Sequence, residues 1–158
     1  MSSTPVRSLL AAGLFALTPA AWAADPIAVS DAYARAVPPG QPNSAAFMTL
    51  TNRSDQARAL VTATSPAAKT VELHTHTNEG GLMRMRRIER IEIPAGGSVQ
   101  LKPGGLHVML IGLTGDLVPG GNLALELTFD DGSRAQVQAP VRAIEPMGHA
   151  APGNGAGQ

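Results

Sequence analysis

The sequence predicts an all-β fold, an antiparallel sandwich or Greek-key barrel. Three observations carry that prediction. After residue 25, amphipathic helical runs are nearly absent. Short apolar or alternating stretches recur in their place, the pattern of strands that bury one or both faces. Between them lie compact breakers: Pro38-Pro39-Gly40, Asn78-Glu79-Gly80-Gly81, Pro94-Ala95-Gly96-Gly97, Lys102-Pro103-Gly104-Gly105, Pro119-Gly120-Gly121 and Asp130-Asp131-Gly132. Turns this frequent suit a sandwich or barrel. An α/β fold would need long amphipathic segments between its strands, and none is present.

The elements follow in chain order. Arg7 precedes the apolar run Ser8–Leu17, and Ala21-Trp22-Ala23 has the small-x-small pattern of a signal-peptidase site. Residues 1–23 therefore read as a secretory signal cleaved after Ala23, too short in its apolar run to span a membrane. The domain proper is placed at 24–145. Ile27–Ala32 opens the strand series and Ala45–Asn52 carries the apolar run AAFM. Ala59–Thr64 and Thr70–Thr75 follow as short half-buried strands. Leu82–Ile88 alternates thioether with cation, and Ser98–Leu101 is a short piece between two Gly-Gly turns. His107–Leu113, Asn122–Phe129 and Ala135–Val141 complete the set, the last two with clear period-two alternation. From Pro146 the chain is rich in small and breaker residues, so 146–158 is expected to be a disordered tail.

Composition narrows the function. The 158 residues suffice for one cored domain. Loss of the signal removes Arg7 from 12 Lys and Arg, against 12 Asp and Glu. A near-neutral chain whose remaining aromatics are Tyr33, Phe47 and Phe129 offers neither the basic surface nor the stacking platforms of a nucleic-acid binder. No other apolar run approaches membrane length. A soluble, exported monomer is expected. Enzyme motifs are lacking: no nucleophile elbow, HExxH, P-loop or GxGxxG.

Chemistry concentrates in His74, Met85, His107 and Met109. Thioethers are poor ligands for calcium, magnesium or manganese and good ones for Cu(I). Zinc from His74, His76 and His107 is conceivable, but zinc prefers Cys, His and carboxylate. The chain has no cysteine, which excludes a stapled fold and a blue-copper thiolate site. In a strand, His107 and Met109 share a face while Val108 and Leu110 take the other. A hairpin centred on Glu79-Gly80 would place residues summing to 159 opposite each other, pairing His74 with Met85 and His76 with Met83. His76 and Met83 are secondary candidates that either bind or frame the site. Met48 reads as core. Arg84, Arg86, Arg87 and Arg90 form a local cationic run that reads first as a solvated strand face, with docking onto an acidic partner as its functional alternative.

The spacing His74-x10-Met85-x21-His107-x-Met109 resembles the signature of the periplasmic copper chaperones called PCu(A)C. The blocks Asp31–Ala36, Ala45–Met48, Ile93–Gly97 and Leu101–Leu110 resemble the same family, and the likeness covers about residues 27–143. The resemblance implies a cupredoxin-like barrel with an exposed Cu(I) site. It implies delivery to the copper-A centre of cytochrome c oxidase subunit II or to another periplasmic copper chaperone, or copper buffering and resistance without a dedicated client. Some members bind Cu(II) through a Met- and His-rich extension. Here only Met147 and His149 stand in the tail, so a site there would be weak. A secreted β-sandwich module that binds no metal is the remaining alternative.

Overall fold

The computed structural model describes residues 25–143. Ten strands are present: β1 (Ile27–Arg35), β2 (Asn43–Asn52), β3 (Arg58–Thr64), β4 (Ala68–Glu79), β5 (Leu82–Ile88), β6 (Ile91–Ile93), β7 (Ser98–Leu101), β8 (His107–Leu113), β9 (Asn122–Phe129) and β10 (Arg134–Arg142). Among the described residues there is no helix, and so none long and apolar enough to cross a membrane, which says nothing of a β-barrel. The signal segment and the tail lie outside the described residues.

The strands run in the order β5-β4-β8-β2-β1-β10-β9-β3-β6, with β7 paired to β2. The β1–β10 pairing is parallel and short, Ala34 opposite Val141 and Arg35 opposite Arg142. It joins two antiparallel leaves. Leu73, Val108, Leu110, Met48 and Leu50 from one leaf and Leu60, Ile91, Ile93, Leu125 and Leu127 from the other form a single buried cluster. This is a cupredoxin-like all-β sandwich. Met48, 1% exposed, is core as its sequence context suggests.

All nine strands expected from the sequence are present. β4 extends four residues past Thr75, to Glu79. β6 is additional: a three-residue piece in which Ile91 and Ile93 are buried and Glu92 is exposed, too short for periodicity to register. β1 carries a register shift between Ser30 and Tyr33, and Asp31 within it has φ 52°. That is the left-handed region that Asp tolerates better than most residues.

The β4–β5 hairpin corrects the expected register. Its loop is Gly80-Gly81, with φ 62° and 86°. Two consecutive positive φ values define the tight turn that matches strand twist, and Gly-Gly suits it. Asn78 Oδ1 accepts a hydrogen bond from Gly81 N at 2.9 Å. The turn centre therefore lies one residue later than a Glu79-Gly80 centre. His74 lies opposite Arg87, and His76, not His74, lies opposite Met85. Met83 faces Asn78 rather than His76.

Candidate metal centre

The expected ligands lie on the outer face of the leaf β5-β4-β8-β2-β1. On β8, Val108 and Leu110 turn into the core with no exposed surface, so His107 and Met109 turn outward together. Pairing with β4 sets His74 opposite His107 and Glu72 opposite Met109. Period two then adds His76 to this face, and the hairpin adds Met85.

A cavity of about 360 Å³ opens here, lined by His76, Met85, His107 and Met109 together with Arg35, Phe47 and Pro103. His107 is 2% exposed, whereas Met85 is 46% exposed. Ring centroids of His76 and His107 are 5.1 Å apart, and those of His74 and His107 5.7 Å. Phe47 packs 6.3 Å from His107 and carries the Arg35 guanidinium 5.3 Å above its own ring.

Each imidazole is oriented. The segment Lys102-Pro103-Gly104-Gly105 closes with Gly105 N donating to the Lys102 carbonyl at 3.0 Å, and Gly104 has φ 79°. Proline followed by a glycine of positive φ is the pattern of a type II turn. The turn presents the Gly105 carbonyl 3.0 Å from His107 Nδ1. Nδ1 donates there, so the Nε2 lone pair is free for a metal. His74 is held from the opposite nitrogen: Nε2 donates to Glu72 Oε2 at 2.7 Å. Its Nδ1 is buried without a hydrogen-bond partner, a costly state for a polar atom that a bound cation relieves.

The electrostatics agree with that assignment. Burial pushes the His107 imidazole below the ordinary histidine range. The Gly105 carbonyl opposes this, while His76, His74 and Arg35 push the same way as burial. The hydrogen bond from His74 holds the Glu72 carboxyl below the usual carboxylate range. Desolvation opposes it, and Arg87 adds to the lowering. A histidine that resists protonation keeps its lone pair available, as a metal ligand must.

The structure thus brings Met85, His107, Met109 and His76 to one cavity, with His74 beside them. Met83, 55% exposed at the hairpin tip, does not line it. Met147 and His149 lie outside the described residues. Among the described residues, no group of three or more His, Cys, Asp or Glu is placed to hold a metal ion. Glu72 and the Gly105 carbonyl are supporting groups that the sequence analysis missed. Period two from His74 could have found Glu72.

The cationic run is neutralised within the chain. Arg84 and Arg86 face away from the cavity, opposite Thr77 and Thr75, and both pair with Glu79. Arg87 lies 3.8 Å from Glu72, and Arg90 pairs with Glu92 and Asp130. This is the solvated strand face expected of it, with ion pairs that the sequence did not foretell.

A family model described as "Putative lipoprotein LpqE-like" matches residues 27–141. The Leifsonia xyli subsp. xyli protein named "Putative lipoprotein Lxx21020" is 37% identical over 120 residues, covering 75% of this chain and 71% of that one. The solution structure of CuI-DR1885 from Deinococcus radiodurans matches with a TM-score of 0.62 and 38% identity, over 80% of this chain and 85% of that one. The copper-bound PCuAC domain from PmoF2 shares the fold, with a TM-score of 0.65 and 23% identity over 77% of this chain and 97% of that domain.

Proposed function

This chain belongs to the PCuAC-type, LpqE-like family, and on that premise we propose that it is a periplasmic copper chaperone. It carries Cu(I) on His74, Met85, His107 and Met109. One observation carries the reading: two thioethers and an outward imidazole lone pair converge on a single cavity, beside a second imidazole whose buried Nδ1 has no partner. Two sulfurs and two neutral nitrogens are a donor set matched to Cu(I) and mismatched to hard cations or zinc. The Cu(I) form of the 38% identical Deinococcus protein supports the same cargo. The lipoprotein name of the Leifsonia relative supports export.

The copper is cargo, so the site must hold it and also give it up. The exposure gradient suits both demands. His107 is buried and fixed by the Gly105 carbonyl, whereas Met85 stands at the open side on a hairpin strand. An acceptor's ligands approach from that side and displace the Met85 thioether first, before the inner donors let go, so no free ion forms. The acceptor is the copper-A centre of cytochrome c oxidase subunit II or another periplasmic copper chaperone.

The test is an anaerobic Cu(I) titration against a chromophoric chelator with Met109→Ala and His107→Ala. Each is expected to lose tight binding while the far-ultraviolet spectrum stays that of the folded sandwich. Wild-type affinity in both variants would refute the site.

A further inference from the structure

His76 is not part of the His-x10-Met-x21-His-x-Met spacing, yet it lies closer to its chemistry than spacing suggests. The two-glycine turn puts it directly opposite Met85. Its ring centroid is 5.1 Å from that of His107, nearer than the 5.7 Å of His74. It lines the same cavity as Met85, His107 and Met109. Its Nδ1 sits 3.4 Å from the Gly105 carbonyl, the oxygen that also receives His107 Nδ1. Its Nε2 makes no hydrogen bond among the described residues. His76 and His107 are therefore anchored at one carbonyl by corresponding nitrogens, with their Nε2 atoms left over.

From this we infer that His76 is itself a copper ligand, binding through Nε2 at the rim of the cavity. The inference rests on the copper reading above and extends its ligand set. The face then carries three imidazoles and two thioethers, one donor more than a four-coordinate Cu(I) takes. The surplus lies along β4. His74 is tied to Glu72. His76 stands opposite the exposed Met85 and lines the cavity. An ion can exchange the His74 nitrogen for that of His76 and move toward Met85 without passing through an under-coordinated state. Such a step suits transfer to an acceptor that approaches over β5.

The experiment uses the full mature chain labelled with ¹⁵N-histidine and loaded anaerobically with one equivalent of Cu(I). Cu(I) is diamagnetic, so the ring nitrogens remain visible. The expected result is a coordination shift at His76 Nε2. In competition titrations, His76→Ala is expected to weaken Cu(I) binding at least about tenfold, the lower end of what removing even a supporting group beside a metal costs. His76 is partly exposed on a strand, so the variant keeps the fold, which a thermal melt checks. Unmoved His76 nitrogens overturn the inference, and they do so even if affinity falls, because His76 would then be a supporting group. Unchanged affinity of His76→Ala overturns it as well. In either case, loss of binding in Met109→Ala and His107→Ala leaves the four-residue site standing. Retained binding in those two variants removes the copper reading altogether.

Discussion

Glu72 gives the sharpest handle on how the site is held. Its Oε2 lies 2.7 Å from His74 Nε2, and it stands opposite Met109. The hydrogen bond fixes the tautomer of His74, holds its ring in one orientation and makes the imidazole a better donor. Glu72→Ala removes all three effects and leaves His74 free to rotate or to place its proton on Nδ1. Loss of such an outer partner costs about 10- to 100-fold in metal affinity, or about 1.4–2.7 kcal/mol of binding free energy. Glu72→Gln keeps an acceptor oxygen of similar reach and gives up only the charge, so its loss is expected at or below the tenfold end. The Arg87 contact does not confuse the result. Arg87 is 72% exposed and 3.8 Å away, and such a pair contributes little. The assay is a Cu(I) competition titration at fixed pH on the wild type and both variants, with thermal melts of the apo forms. The order wild type, then Gln, then Ala is the expected outcome. Wild-type affinity in Glu72→Ala would refute the reasoning, since His74 would then need no orienting partner or would not bind the ion.

Two further outcomes follow from the same geometry. Gly81 has φ 86° with open space around an added Cβ, so Gly81→Ala pays only backbone strain, about 1–2 kcal/mol. Chemical denaturation should show that loss if the tight turn sets the register, and no loss if the loop is loose. For the apo protein, the His107 imidazole is held below its ordinary value in the folded state, so the unfolded chain takes up the proton first. Its contribution to stability is complete above the unfolded-state value of about 6.5. It is lost as pH falls from there through the folded-state value. Melting curves of wild type minus His107→Gln should therefore lose amplitude across mildly acidic pH, and a flat difference would contradict the burial argument.

Much of this arrangement was legible in the sequence for a definite reason. Strand periodicity is two, so any even slip in register leaves every residue on its face. The hairpin slipped in that way. The expected pairing put His74 against Met85, the observed one puts His76 there, and both leave His74, His76, Met83 and Met85 on the outer side. The alternation in His107-Val108-Met109-Leu110 was readable for the same reason, and burial of Val108 and Leu110 fixes its sense. Neighbour relations were less legible, because they depend on turn geometry. A turn centre one residue later shifts the pairing by two, and only the φ values of Gly80 and Gly81 reveal it. β6 escaped because three residues carry no period. The Gly105 carbonyl escaped because a backbone acceptor leaves no trace in side-chain spacing. It acts through Pro103 and Gly104, whose pairing was readable as a turn but not as the group that would orient His107. The face therefore follows from composition and parity, while the identity of the imidazole opposite Met85 follows from the Gly80-Gly81 turn. A motif defined by spacing alone records the first and is blind to the second, which is how a third imidazole can share the face of a four-residue signature.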